Sequence, residues 1–174
     1  MNKDEIPSYA IYSVLDLIKP GEIACEIGVR SGQSSFALLN KGCFVYMIDP
    51  WEEYEEYTES KAYRFEEDYE NVLKMVNEFP NQYKIIRKKS DDTLNDVPNN
   101  LSLVYIDGNH VHDFVLRDMN NYWPKIRSGG WLTGDDISME GVAKAVVEFY
   151  FEKRKECPDL RLEYHGRNWA IQKP

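Results

Sequence analysis

The sequence has little of what would mark it as secreted, membrane-bound or built around a metal finger. Its 174 residues hold only three cysteines, Cys25, Cys43 and Cys157. The number is odd and no C-x-x-C spacing occurs, which argues against a disulfide framework or a zinc site and fits a reducing cytosol. Cys25 and Cys43 read as small buried strand residues. The first residues, M-N-K-D-E-I-P, lack the apolar core of a signal peptide. No apolar run approaches the ~18 residues of a membrane span. The expectation is a cytoplasmic protein with no membrane partner. Positive charge is scarce too. Twenty-one Lys and Arg stand against thirty Asp and Glu, a net charge of −9. A nucleic-acid partner is therefore disfavoured, because phosphate binding needs a basic face. Much of the imbalance is local: Trp51 to Glu70 carries nine acidic residues and two basic ones.

What is present is an alternation of strand and helix signals. Residues 7 to 18 place Ile11, Val14, Leu15 and Ile18 at helical spacing, with Pro7 suited to the first turn. A strand follows over Glu22 to Ile27, then a glycine loop, then a helix over Ser31 to Asn40 with Gly42 as its C-cap. Cys43 to Ile48 is an unbroken apolar run, the mark of a strand covered on both faces. Ala62, Phe65, Tyr69, Val72, Val76 and Phe79 make one amphipathic helix stopped by Pro80. Glu52 to Glu59 has no such stripe and reads as a loop. Further strands are expected at Tyr83 to Lys88, Leu101 to Ile106 and Trp131 to Thr133, the last entered through a turn at Ser128-Gly129-Gly130. Helices are expected over Phe114 to Trp123 and after a capping Ser138. Leu160 to Tyr164 and Asn168 to Gln172, separated by Gly166-Arg167, form a closing hairpin. This pattern predicts one α/β domain over residues 1–174. It is a Rossmann-like, doubly wound, seven-stranded sheet, mostly parallel, with an antiparallel last strand and helices on both faces.

Four of these strands end in acids, Glu26, Asp49, Asp107 and Asp135. The carboxyl ends of parallel strands share one edge, where α/β proteins bind ligands at the topological switch point. One or two strand-end acids are ordinary helix caps, but four on one edge point to a shared site. The loop E-I-G-V-R-S-G, Glu26 to Gly32, lacks the G-x-G-x-x-G spacing that suits a pyrophosphate. Asp49 stands where a carboxylate can accept both hydroxyls of a ribose. In D-G-N-H, His110 follows Asp107 by three residues and is placed to act as a base near neutral pH. His112 begins the next helix and reads as structural. Asp107, Asp135 and Asp136 offer oxygen ligands suited to Mg²⁺. Trp51, Tyr54 and Tyr57 open the acidic segment; Trp51 is close enough to the site to favour a role, and the other two fit a lid or a packed loop equally.

The strand, acid and glycine loop, the strand-end Asp49 and the closing hairpin together resemble class I S-adenosylmethionine-dependent methyltransferases. The span D-G-N-H-V-H-D-F through W-P-K-I-R-S-G-G-W-L-T-G-D-D, Asp107 to Asp136, is similar to metal-dependent small-molecule O-methyltransferases of the macrocin, mycinamicin and cephalosporin-hydroxylase-like type. The resemblance implies that Glu26, Gly28 and Gly32 line the methionine part of the cofactor, with Arg30 and Ser31 of the same loop and Trp51 beside it. It implies that Asp49 holds the ribose and that Ser90 and Asp91 lie at the adenine. Asp107, Asp135 and Asp136 match the magnesium ligands, and Asp107 would also touch the cofactor. His110 matches the catalytic base. Where the family often carries a tyrosine, this chain has His112.

The expected reaction is methyl transfer to a hydroxyl of a small molecule, a sugar or other vicinal diol, in a monomer or a homo-oligomer. The alternative is a catalytically inactive S-adenosylmethionine-binding module that senses or scaffolds; the complete set of Asp107, His110, Asp135 and Asp136 argues against it. A nicotinamide oxidoreductase is disfavoured by the glycine spacing.

Overall fold

The structure, a computed structural model, describes residues 10–53 and 64–174. Its centre is a sheet of seven strands: β1 (Ile23–Ile27), β2 (Phe44–Ile48), β3 (Tyr83–Ile86), β4 (Leu101–Ile106), β5 (Ile126–Gly134), β6 (Leu162–His165) and β7 (Asn168–Gln172). Their order across the sheet is β3-β2-β1-β4-β5-β7-β6. β1 to β5 pair in parallel, and β7 runs antiparallel to both β5 and β6. The expected architecture is therefore the observed one. The switch point lies between β1 and β4, because the chain winds outward from β1 to one side and from β4 to the other.

The helices α1 (Gln33–Asn40), α2 (Phe65–Val76), α3 (His112–Tyr122) and α4 (Glu140–Arg154) cover both faces. One face holds α1, α2 and the N-terminal residues over Ala24, Val45, Met47, Leu103 and Tyr105. The other holds α3 and α4 over Cys25, Ile27, Val104, Ile106 and Leu132. The split follows strand alternation: successive residues of β1 and β4 point to opposite cores. Each fully buried Leu, Ile or Phe here contributes roughly 1.5–3 kcal/mol. Edge-to-face packing of Trp123 on Phe149, with centroids 5.5 Å apart, locks α4 against the segment after α3.

Several elements differ from the sequence expectation. The apolar stripe at Ile11, Val14 and Ile18 is buried, but Ile11 lies on one short 3₁₀ turn, Ala10–Ser13, and Val14 and Ile18 flank a second, Leu15–Leu17, in place of an α-helix. Val14 leaves helical geometry with φ −114° and ψ 0° between them. A three-residue spacing of apolar side chains serves a 3₁₀ turn as well as an α-helix. Pro7 lies outside the described residues. β2 is not fully covered: Phe44 and Tyr46 are half-buried beside fully buried neighbours.

The Ser128-Gly129-Gly130 segment is not a turn before a short strand. It lies inside the nine-residue β5, which carries a register shift against Leu101 and Leu103. Its backbone pairs with the C-terminal tail, Gly129 donating to the Lys173 carbonyl and Lys173 to that of Gly130, both at 2.8 Å. Ser138 does not cap α4. Met139 holds the cap position, and its N–H donates to the Asp136 carbonyl at 2.8 Å. The start of the amphipathic helix at Ala62, and most of the Glu52 to Glu59 loop with Tyr54 and Tyr57, lie outside the described residues. Phe79 is buried but beyond the end of α2.

Candidate active site

Strand register dictates where the acids meet. Ile27 pairs with Ile48 on one side and Ile106 on the other, and Ile106 pairs with Gly134. The next residue on each strand is Gly28, Asp49, Asp107 and Asp135, so three of the acids stand in one row at the sheet edge. The ladder continues through them: Gly28 donates to the Ile48 carbonyl at 2.9 Å and Asp107 to that of Ile27 at 2.8 Å. Glu26 sits two residues below this row, beside Met47 and Tyr105, on the face covered by α1. Above it opens a cavity of about 670 Å³, within the ~300–1,000 Å³ of small-molecule sites. Glu26, Gly28, Arg30, Ser31, Asp49, Ser90, Asp91, Asp107, His110, Asp135 and Asp136 all line it. The structure therefore brings together eleven of the thirteen residues singled out in the sequence.

Gly32 and Trp51 are the two that do not line it. Gly32 begins α1 with φ +82°, and a Cβ there would lie 3.0 Å from Val72 Cγ2 and 3.2 Å from Met75 Cε. Its lack of a side chain makes room for Val72 and Met75 of α2. Trp51 is buried beneath the loop. Its Nε1 donates to the Arg30 carbonyl at 2.8 Å and its ring packs on Tyr69 with centroids 4.9 Å apart. Gly28 lines the cavity, yet its freedom from a side chain also serves the chain itself. At φ +88°, a Cβ would stand 2.5 Å from the Asp107 carbonyl carbon and from Gly108 Cα. The bulky object this glycine accommodates is the neighbouring loop at the switch point.

Two acids are engaged by the protein before any ligand arrives. Glu26 is buried and accepts from Ser35 Oγ on α1. Burial pushes its carboxyl well above the usual range, against the pull of that bond. Asp49 accepts from the backbone N–H of Arg30 at 2.9 Å and of Trp51 at 2.7 Å. It thereby ties the glycine loop to the loop after β2. Each of its oxygens keeps a second lone pair for a ligand hydroxyl.

At the other end, the acids crowd around His110. His110 Nε2 is 3.2 Å from Asp136 Oδ2. One ligand atom from each of Asp107, His110 and Asp136 falls within 4.8 Å of the others. The gathered set differs from the expected trio, for Asp135 stands outside it. One Asp135 oxygen accepts from the Asp136 backbone N–H at 2.6 Å, and the other lies 3.2 Å from Arg167 Nη2. Asp136 is held in the left-handed region, φ +55°, which turns its carboxylate toward both His110 and Arg167. Burial and the charges of Asp135 and Asp136 drive the Asp107 carboxyl well above its ordinary value. Such a cluster is relieved by a cation, and the two carboxylates are oxygen donors of the kind a hard divalent ion takes. The residues present therefore fit a divalent cation.

Arg167, Asp118 and Asn109 are among the lining residues unmarked in the sequence. Arg167, at the tip of the β6–β7 hairpin, contacts both Asp135 and Asp136. Asp118 of α3 is buried and accepts from Ser90 Oγ at 2.5 Å; burial pushes its carboxyl up to about 7. Asn109 is buried, accepts from the Val111 N–H at 2.8 Å, and so orients the loop that carries His110. Asn109 stands inside the D-G-N-H motif and could have been read there. Asp118 and Arg167 carry no local signal, since only the folded sheet brings α3 and the hairpin to the cavity.

His112 starts α3 as expected and bridges outward, Nδ1 to Asp113 at 2.7 Å and Nε2 to Glu148 at 2.9 Å. Among the described residues, no helix is long and apolar enough to cross a membrane.

A family model described as a methyltransferase domain matches residues 25–137. No curated protein matches the sequence. Among solved structures, the chain is similar to the O-methyltransferase NovP, at 18% identity and a TM-score of 0.65, covering 94% of this chain and 76% of that one. It is similar to the O-methyltransferase TomG from Streptomyces achromogenes, involved in tomaymycin synthesis and solved with SAM, at 13% identity and 0.66, covering 95% and 79%. It is also similar to an rRNA methylase from Streptococcus thermophilus, at 10% identity and 0.62, covering 94% and 93%. At these identities the likeness is one of fold.

Proposed function

The chain belongs to the methyltransferase-domain family, and from that premise we propose that it transfers a methyl group from S-adenosylmethionine to a hydroxyl of a small molecule, with a divalent cation, Mg²⁺, at the acidic end of the cavity. The observation that carries this reading is the placement of His110 beside Asp107 and Asp136 in the cavity that the strand-end acids surround. S-adenosylmethionine supplies a sulfonium-activated methyl, and a divalent cation lowers the pKa of a hydroxyl oxygen it binds.

The protein's own residues do the rest. Asp49 accepts the ribose hydroxyls while its loop bonds to Arg30 and Trp51 keep it in place. Glu26 and the backbone of Gly28 to Ser31 receive the methionine end. Ser90 and Asp91 stand at the adenine. Asp107 and Asp136 would hold the cation, with Asp135 beside them. His110 would take the proton from the acceptor hydroxyl. Asn109 fixes the loop in which that imidazole sits. Fixing acceptor and methyl in line supplies much of the rate, up to ~7–11 kcal/mol of barrier in well-oriented systems.

A sugar or other vicinal diol is the acceptor class that suits oxygen chelation. The net charge of −9 weighs against an RNA acceptor, although one fold neighbour is an rRNA methylase. We read residues 1–174 as one domain. Its three free thiols, Cys25, Cys43 and Cys157, suit the cytosol.

The test is turnover with labelled S-adenosylmethionine on a panel of sugars and catechols. Activity should appear with Mg²⁺ and vanish with EDTA. His110→Ala should keep cofactor affinity within about threefold and lose at least ~10²-fold in kcat. Full turnover in His110→Ala removes the base assignment. Full activity in chelator removes the metal. Cofactor binding with no turnover on any acceptor favours the inactive module.

A further inference from the structure

Arg167 is the feature of this cavity that the methyl-transfer reading leaves without a task. It sits in the two-residue turn between β6 and β7, far in sequence from every other lining residue. Its guanidinium Nη2 lies 3.2 Å from Asp135 Oδ2 and also bonds Asp136 Oδ1. A guanidinium binds carboxylates with the same lone pairs that a divalent cation would use. Two positive charges on one carboxylate pair also repel each other.

The side chain can leave without its backbone. It is 64% exposed, while the Arg167 carbonyl is anchored by the Ile137 N–H at 3.1 Å. The adjoining residues are fixed, with Asn168 and Trp169 buried in β7. Holding the side chain on Asp135 and Asp136 thus needs no movement of the sheet, and neither does releasing it.

Resting on the proposed cation site, we infer that Arg167 is an internal counter-ion that competes with the divalent cation for Asp135 and Asp136, so that metal loading requires its guanidinium to swing out toward the cavity mouth. Arg167 is then a positioning residue. It keeps the two carboxylates paired and oriented while the site is empty, and it lowers the apparent metal affinity. Asp135, which stands outside the group formed by Asp107, His110 and Asp136, becomes available as a ligand only when Arg167 lets go.

The experiment is titration of Mn²⁺ into the whole protein, with free Mn²⁺ read by electron paramagnetic resonance, for wild type, Arg167→Met and Arg167→Lys. Met keeps the stem and removes the charge; Lys keeps the charge and loses the planar fork. Thermal melts establish that each variant is folded. Arg167→Met should bind Mn²⁺ at least about fivefold more tightly than wild type, the worth of losing a partly exposed pair. Arg167→Lys should fall between the two. Wild-type binding with unchanged or weaker binding in Arg167→Met overturns the competition and leaves the metal site standing. No Mn²⁺ binding in wild type or either variant overturns the metal site, and the competition with it.

Discussion

Replacing Gly28 with alanine separates two meanings of this glycine. If it serves only a cofactor, the ligand-free protein should not notice a methyl group. The structure says otherwise. At φ +88° any residue with a Cβ is strained, at roughly 1–2 kcal/mol. The added carbon would also meet the Asp107 carbonyl and Gly108 Cα at 2.5 Å or closer. These are backbone atoms of the β4 exit loop, not the far end of a flexible side chain, so relief requires the two loops to part. Overpacking of that kind costs about 1–3 kcal/mol. Together the substitution should cost roughly 2–5 kcal/mol, a large share of a typical 5–15 kcal/mol. Gly32→Ala should cost less, roughly 1–3 kcal/mol. Its φ of +82° carries the same strain, but its nearest neighbours are the side chains of Val72 and Met75, which can shift. The assay is urea unfolding of the ligand-free proteins, comparing midpoints at constant m. A Gly28→Ala protein that unfolds within about 0.5 kcal/mol of wild type, yet no longer binds S-adenosylhomocysteine, would refute the reasoning.

Other predictions concern residues around the cavity. Asp118 has a folded-state pKa near 7, raised by burial from an ordinary 3.8. The folded protein therefore holds a proton that the unfolded chain has released between about pH 4 and pH 7, and wild-type stability should fall across that window and level off above it. Asp118→Asn, which can still accept from Ser90, should flatten that slope and gain up to about 4 kcal/mol on wild type at pH 8; an unchanged slope in urea melts from pH 4 to 8 would contradict the assignment. Trp51→Phe removes the indole bond to the Arg30 carbonyl and should cost about 1–2 kcal/mol of stability, with only a few-fold loss of S-adenosylhomocysteine affinity. A loss above about thirtyfold (~2 kcal/mol) at unchanged stability would put the indole on the ligand.

The sheet edge was legible because it depends on local grammar. β2, β4 and the end of β5 are short runs that each stop at an acid, so placing Asp49, Asp107 and Asp135 in one row needed only parallel pairing. Leu101–Ile106 and Asn168–Gln172 match their expected bounds. What was not legible depends on distance. Nothing near Gly166-Arg167 says that the turn tip reaches Asp135 and Asp136, because β7 inserts beside β5 and carries it there. The Gly129-Gly130 pair looks like a turn until the C-terminal tail pairs with it. The stripe at Ile11, Val14 and Ile18 says which face is buried, not which helix type presents it. Gly32 and Trp51 stand beside cavity-lining residues in sequence, but only the fold shows that α2 packs against the one and the Arg30 carbonyl accepts from the other.

The central claim is that the row of strand-end acids around Gly28 receives S-adenosylmethionine. Calorimetric titration with S-adenosylhomocysteine tests it without any knowledge of the acceptor. Wild type should bind with one site per chain, and Asp49→Asn, which cannot accept from both loop N–H groups and both ribose hydroxyls, should bind at least about tenfold more weakly. No binding to wild type, or equal binding to the variant, would contradict the account.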